Sequence, residues 1–232
     1  MSDINTVDCT RPDAETPAAR LRLEQVAATL TQQRLGKYLG ATNRDTAAAL
    51  ALYVSNEQTA AAFFVDLHYV EIALRNRLDA QLSRAFGMRW YQAGRFLSLI
   101  DERCQTILAH AHSAAVRGAD PARIPPGKVI AELPFGFWHR LTASAFEHRL
   151  WTPYLHRAFL PHKAPKRARF NRQLETLRQL RNRIAHHEPI FHLDLVKTHE
   201  TLTDVCSALC PATADLMLTN STALRHMLLY AG

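Results

Sequence analysis

Apolar positions along this chain recur three and four residues apart, and long stretches interleave alanine and leucine with polar residues. That is the period of the α-helix. Glycine is sparse, at eight residues, and no segment alternates apolar and polar residues at the period of a strand. The pattern predicts helices over 17–34, over about 44–85 with a break tolerated near Ser55-Asn56, and over Leu99–Val116. Further helices are expected over Lys128–Leu133, Phe135–Arg149, Trp151–Leu160, from about Lys166 to the pair His186-His187, over His192–Leu209 and over Ala212–Tyr230. Gly87 and Gly94 bracket an irregular stretch at Trp90-Tyr91, and Ala119–Gly127 reads as a loop. The fold class is all-α. Residues 1–15, short of apolar side chains, are expected to form a flexible tail, and 16–232 a single helical domain.

Length and composition narrow the setting. With 232 residues, 47% hydrophobic and 21% charged, the chain can bury a real core, and wholesale disorder is not expected. The longest uninterrupted apolar run, Ala47–Val54, is eight residues, far below the ~18–20 needed to cross a bilayer. No basic start leads into an apolar segment within the first thirty residues, so neither a secretory signal nor a membrane partner is expected. Cys9, Cys104, Cys206 and Cys210 are scattered. Only the last two are close, four apart, and they read as small apolar residues on a buried face. Free thiols in a reducing cytoplasm are the expectation.

The charge is more telling than the composition. The chain carries +7, and between Lys163 and Arg183 there are eight basic residues against the single acid Glu175. The rest of the chain carries as many acids as bases, so the whole excess lies on this segment of twenty-one residues, most of it the helix expected from about Lys166. A solvated helix face beside acidic neighbours is one reading. The other is a phosphate-binding stripe, the footprint of a nucleic-acid partner.

That helix ends in Arg181-Asn182-Arg183-Ile184-Ala185-His186-His187-Glu188-Pro189. Pro189 pushes Glu188 out of the α region, so the helix should stop at His186 or His187. A histidine there feels the negative end of the helix dipole, which favours its protonated form, while Arg181 and Arg183 oppose that. An imidazole so balanced can take and give a proton near neutrality. An arginine beside it can hold a phosphate through paired N–H donors, and the Asn182 amide can add a neutral hydrogen bond. These are the parts for metal-free cleavage of RNA. A base removes the 2′-hydroxyl proton, that oxygen attacks phosphorus, and an acid protonates the leaving oxygen. At about 100° per residue, however, Arg181 falls within the apolar stripe of Phe170, Leu174, Leu177, Leu180 and Ile184, well away from Asn182 and His186. Either the ring swings back past the helix end, or a second subunit completes the site. His186, His187, Glu188 and His192 lack the separation that places two imidazoles on one helical face for a metal, and no metal or other cofactor is expected.

The span Arg181-Asn182-Arg183-Ile184-Ala185-His186 resembles the R-x4-6-H signature of HEPN-domain ribonucleases, with His187 as an alternative giving R-x5-H. The wider context resembles their Abi-like (abortive infection) branch, through Arg34–Leu39, Glu71–Asn76, Glu132–Trp138 (ELPFGFW) and Leu150–Phe159. The resemblance covers roughly residues 20–200. It implies an all-α HEPN bundle, here with additional helices, forming a homodimer whose two motifs face each other. It also implies metal-independent RNase activity in phage defence or as a toxin, with an antitoxin or a defence-system protein as a further partner. Carried onto this chain, it makes Arg181, Asn182, His186 and His187 the catalytic set. Lys166, Arg167, Arg169, Arg172, Arg178 and Arg183 would then be a track for RNA. The alternative is a non-catalytic module that binds RNA, a nucleotide or a partner protein.

One supporting group is also expected. Glu71 lies on the stripe of Leu67, Val70, Leu74 and Leu78, where a lone carboxylate is costly. It is expected to pair with Arg181, directly or through Arg75 and Asn76, and be largely buried. The plainer reading is an i,i+4 pair with Arg75.

Overall fold

A computed structural model describes residues 16–118, 120, 123–159 and 161–228. The expected tail 1–15 and parts of the expected loop Ala119–Gly127 lie outside the described residues. The described residues are helical, with no strand among them, as the apolar spacing predicts. They divide into two compact units, which meet in the chain between Gln58 and Thr59.

The first unit contains α1 (Pro17–Leu30), α2 (Gln32–Ala41) and the beginning of α3 (Thr46–Phe86). The single helix expected over 17–34 is instead two, because Thr31 takes a left-handed φ of 67° and closes α1. Asp45 accepts the N–H groups of Ala47 (2.9 Å) and Ala48 (3.1 Å), which caps α3. Tyr38 of α2 meets Tyr53 of α3 edge-on, ring centroids 5.3 Å apart. The α3 helix runs unbroken for 41 residues, with no interruption at Ser55-Asn56. Asn56 is fully buried.

The second unit holds the rest of α3 and everything after it. The α3 stripe Leu67, Val70, Leu74, Leu78 and Leu82 enters its core. Trp90 follows in a short 3-10 turn, its indole N–H donating to Asp79 at 2.7 Å. Next come α4 (Gly94–Leu97) and α5 (Glu102–Val116), the latter capped by Asp101, which accepts the Cys104 N–H at 2.9 Å. Two short helices, α6 (Pro126–Ala131) and α7 (Phe135–Leu141), follow. The long helix expected over Phe135–Arg149 stops at Leu141. Beyond it the chain runs through 3-10, π and 3-10 turns (Ser144–Phe146, Glu147–Trp151, Leu155–Phe159). Packing overrides local preference there, since Phe146, Leu150, Trp151, Leu155 and Phe159 are all buried.

The basic helix is α8 (Arg167–Ala185), followed by α9 (Leu195–Leu209), α10 (Pro211–Asn220) and α11 (Ala223–Leu228). The last two divide the single helix expected over Ala212–Tyr230. In α8, Phe170, Leu174, Leu177 and Leu180 are buried, and Phe170 meets Phe159 edge-on at 5.0 Å. The helix packs against α7 and α9. Its site-bearing end is thus held by apolar contacts two and three turns back.

Candidate functional site

The end of α8 is shaped by its cap. His186 keeps the helical register, its N–H bonding to the Asn182 carbonyl at 3.0 Å. The chain leaves that register at His187, which adopts φ 54°. The His187 N–H then bonds to Ile184 O at 3.0 Å and the Glu188 N–H to Arg183 O at 2.8 Å. This pair of bonds is a Schellman motif, with histidine in the left-handed position that glycine usually fills. The side chains close the same loop, Arg183 Nη1 lying 3.2 Å from Glu188 Oε2. Both histidines are exposed, and Arg181 and Asn182 are half-buried.

Arg181 stands apart from the other arginines of α8. Its Nε is buried without a hydrogen-bond partner, and no acid among the described residues pairs with it. Elsewhere on the helix, Arg167 Nε lies 2.9 Å from Glu147 Oε2, without hydrogen-bond alignment, and its Nη1 donates to the Thr142 carbonyl at 3.0 Å. Arg169 bonds to Asp204 at 2.9 Å, and Arg178 holds Glu175 in a fork of 2.7 and 2.8 Å. The Arg178 guanidinium keeps the Glu175 carboxyl down at about 2. Of the six residues expected to track RNA, four are therefore bound to acids, which offsets part of the local positive charge. Lys166 and Arg172 remain exposed with no ion pair among the described residues.

The expected brace does not form. No ion pair joins Glu71 to Arg181 or to Arg75, and Glu71 is half-buried instead of largely buried. The Arg75 Nε donates to the neighbouring Asn76 Oδ1 at 3.4 Å. Leu67, Val70, Leu74 and Leu78 fill the buried stripe of α3 and leave Glu71 half-buried beside it.

Sequence reading missed a polar seam between α7 and α8. His139 Nδ1 lies 3.6 Å from Glu175 Oε2, and the Asn171 amide donates to Thr142 Oγ1 at 2.9 Å. Burial holds the His139 imidazole below its ordinary value, against the pull of Glu175. Glu175 as the lone acid in a basic window was the only signal. A second polar group lies within the unit: Ser221 Oγ donates to Asp66 Oδ2 at 2.6 Å, and His199 Nε2 lies 3.9 Å from the same oxygen. Among the described residues no cluster of three His, Cys, Asp or Glu side chains is placed to hold a metal ion. Cys104 and Cys206 are buried free thiols, pushed up by burial to about 12 and about 11. No helix of the described residues is long and apolar enough to cross a membrane.

Residues 21–192 match the model of a family described as Abi-like protein. That span runs from within α1 to the loop after α8 and contains the whole candidate site. No curated protein matches the chain, and no solved structure matches it.

Proposed function

The chain belongs to the Abi-like protein family, and from that premise we propose that it is a metal-independent endoribonuclease of HEPN type. It acts in abortive-infection defence or as a toxin, in the cytoplasm. Arg181 and Asn182 bind the scissile phosphate, and His186 and His187 supply the proton transfers. Lys166 and Arg172 guide the RNA backbone, and Arg183 fixes the loop that carries the histidines. The protein works as a homodimer, residues 16–232 of each copy acting as one functional domain, with an antitoxin or a defence-system protein to restrain or trigger it.

The observation that carries this reading is the unpaired Arg181. A half-buried guanidinium with an orphaned Nε is expensive to maintain, and every other half-buried arginine of α8 is matched by an acid. A bound phosphate is the ligand that would complete it, because the guanidinium fork matches phosphate oxygens and stabilises charge that grows during cleavage. Two exposed imidazoles and a free amide within the next six residues are the groups such a cleavage uses.

The test is incubation of purified protein with single-stranded RNA in excess EDTA. Cleavage that survives the chelator and is lost in Arg181→Met supports the reading. Binding without cleavage in any buffer replaces it with an RNA-binding module, and cleavage abolished by EDTA overturns the metal-free mechanism.

A further inference from the structure

Resting on that reading, we infer that His186 and His187 of one chain are two separate proton-transfer groups, one the base and one the acid, divided by the cap of α8. Cleavage requires two transfers in opposite senses. The 2′-oxygen loses its proton to the base as it bonds to phosphorus. The P–O5′ bond breaks, and the acid gives a proton to the departing 5′-oxygen. The products are a 2′,3′-cyclic phosphate and a 5′-hydroxyl, with one proton gained by the base and one lost by the acid. Attacking and leaving oxygens lie roughly in line through phosphorus. A single imidazole on one side is poorly placed to serve both ends in one step.

Two consecutive residues of an ordinary helix end would not answer that need on their own, and the observed backbone supplies the difference. His186 stays in the register of α8, bonded to Asn182 O at 3.0 Å. His187 has a φ of 54°, in the region that L-residues rarely adopt and glycine adopts freely. Two neighbouring imidazoles therefore leave the chain from backbone of opposite hand. The Glu188 N–H to Arg183 O bond and the Arg183–Glu188 ion pair lock that reversal in place. Glycine would suit position 187 better as a cap, so the histidine is held there at the expense of the fold. Strain of this kind collects at functional positions. The ionisable groups nearest the pair along the chain are Arg181, Arg183, Glu188 and His192, all from α8 and its following loop.

The experiment compares His186→Ala, His187→Asn and His187→Gly on two RNA substrates. One is unmodified, and the other carries a bridging 5′-sulfur at the scissile bond, whose thiolate departs without help from an acid. All three variants should lose at least a hundredfold in cleavage of unmodified RNA. Asparagine and glycine both tolerate a left-handed backbone, so the 187 variants should melt no lower than the wild type. On the sulfur substrate, one of the two positions should recover to near wild-type rate and the other should not. That recovery identifies the acid. If His187→Gly keeps full activity on unmodified RNA, or if both positions or neither recover on the sulfur substrate, the two-imidazole inference is overturned while the ribonuclease reading stands. A wild-type protein that cleaves neither substrate overturns both.

Discussion

Arg181 and Arg167 belong to the same helix, are both half-buried, and should respond in opposite ways to the same substitution. Arg167→Met removes a guanidinium whose partners are Glu147 and the Thr142 carbonyl. The loss should be about 1–3 kcal/mol, because the carbonyl is left without its donor. Arg181→Met removes a buried donor that has no partner, so the fold should gain about 1 kcal/mol, or about 2–4 °C in Tm for a chain of this size. Thermal melts of the two variants check this, and a stability loss in Arg181→Met equal to that of Arg167→Met would mean that Arg181 is structural. Titration adds a second prediction at this scale. Hydrogen bonding to Arg140 holds the Asp101 carboxyl at about 2, and Arg178 does the same for Glu175. Both carboxyls are lower in the folded chain than in the unfolded one, so their contribution is present above the ordinary carboxylate range and is lost as pH falls toward 2. His139 is also lowered, by burial, so its contribution is lost earlier, as pH falls through the ordinary histidine range. Asp66, raised by burial, works the other way and offsets part of the acid loss. Urea midpoints measured from pH 8 to pH 3 should therefore fall in two stages. Asp101→Asn, which preserves the helix cap, should flatten the lower stage alone.

At the scale of elements, α8 shows both what the sequence could tell and what it could not. Its amphipathic stripe and its end were legible, because Phe170, Leu174, Leu177 and Leu180 recur at helical spacing and Pro189 forbids continuation. The left-handed His187 was not legible, since no residue type marks that conformation except glycine or asparagine. Nor were the partners of the arginines. Glu147 and Asp204 are remote in sequence, and only the packing of α8 against its neighbours makes them partners. The Glu71–Arg181 brace failed for a related reason. A helical stripe says which side faces the core but not whether a residue at its edge is reached by water. The short turns over 144–159 failed because aromatic burial set the backbone there. The residues left over make a sharper test of the basic stripe than the net charge did. Lys166→Glu and Arg172→Glu should each weaken binding to single-stranded RNA. Each should also lower the log–log salt slope by roughly 0.7. Arg169→Glu, already matched by Asp204, should lose stability first and mainly through repulsion of that acid. Salt titrations of affinity beside melting curves separate the two effects.

At the scale of the whole molecule, the question is how Arg181 and the histidines come to one phosphate. Five residues of helix turn by about 500° at about 100° each, so Arg181 and His186 stand about 140° apart around the axis of α8. The His186 N–H bond to Asn182 O keeps the helix in phase to that point, so the ring is not brought back by an early unwinding. A two-fold partner, as proposed, would resolve the divergence by setting Arg181 of the partner subunit across the symmetry axis from the histidines of the first. Sedimentation should then report a dimer, and activity should follow the rules of a shared site. Homodimers of Arg181→Met and homodimers of His187→Asn each lack one half of both sites and should be inactive. Mixed dimers place both lesions in one site and leave the other whole. Unfolding and refolding the two variants together should therefore restore about a quarter of wild-type activity, since half of randomly formed dimers are mixed and each mixed dimer keeps one of two sites. A mixture as inactive as its components would mean that each chain builds its site alone. Arg181 would then have to reach its phosphate from the far side of its own helix.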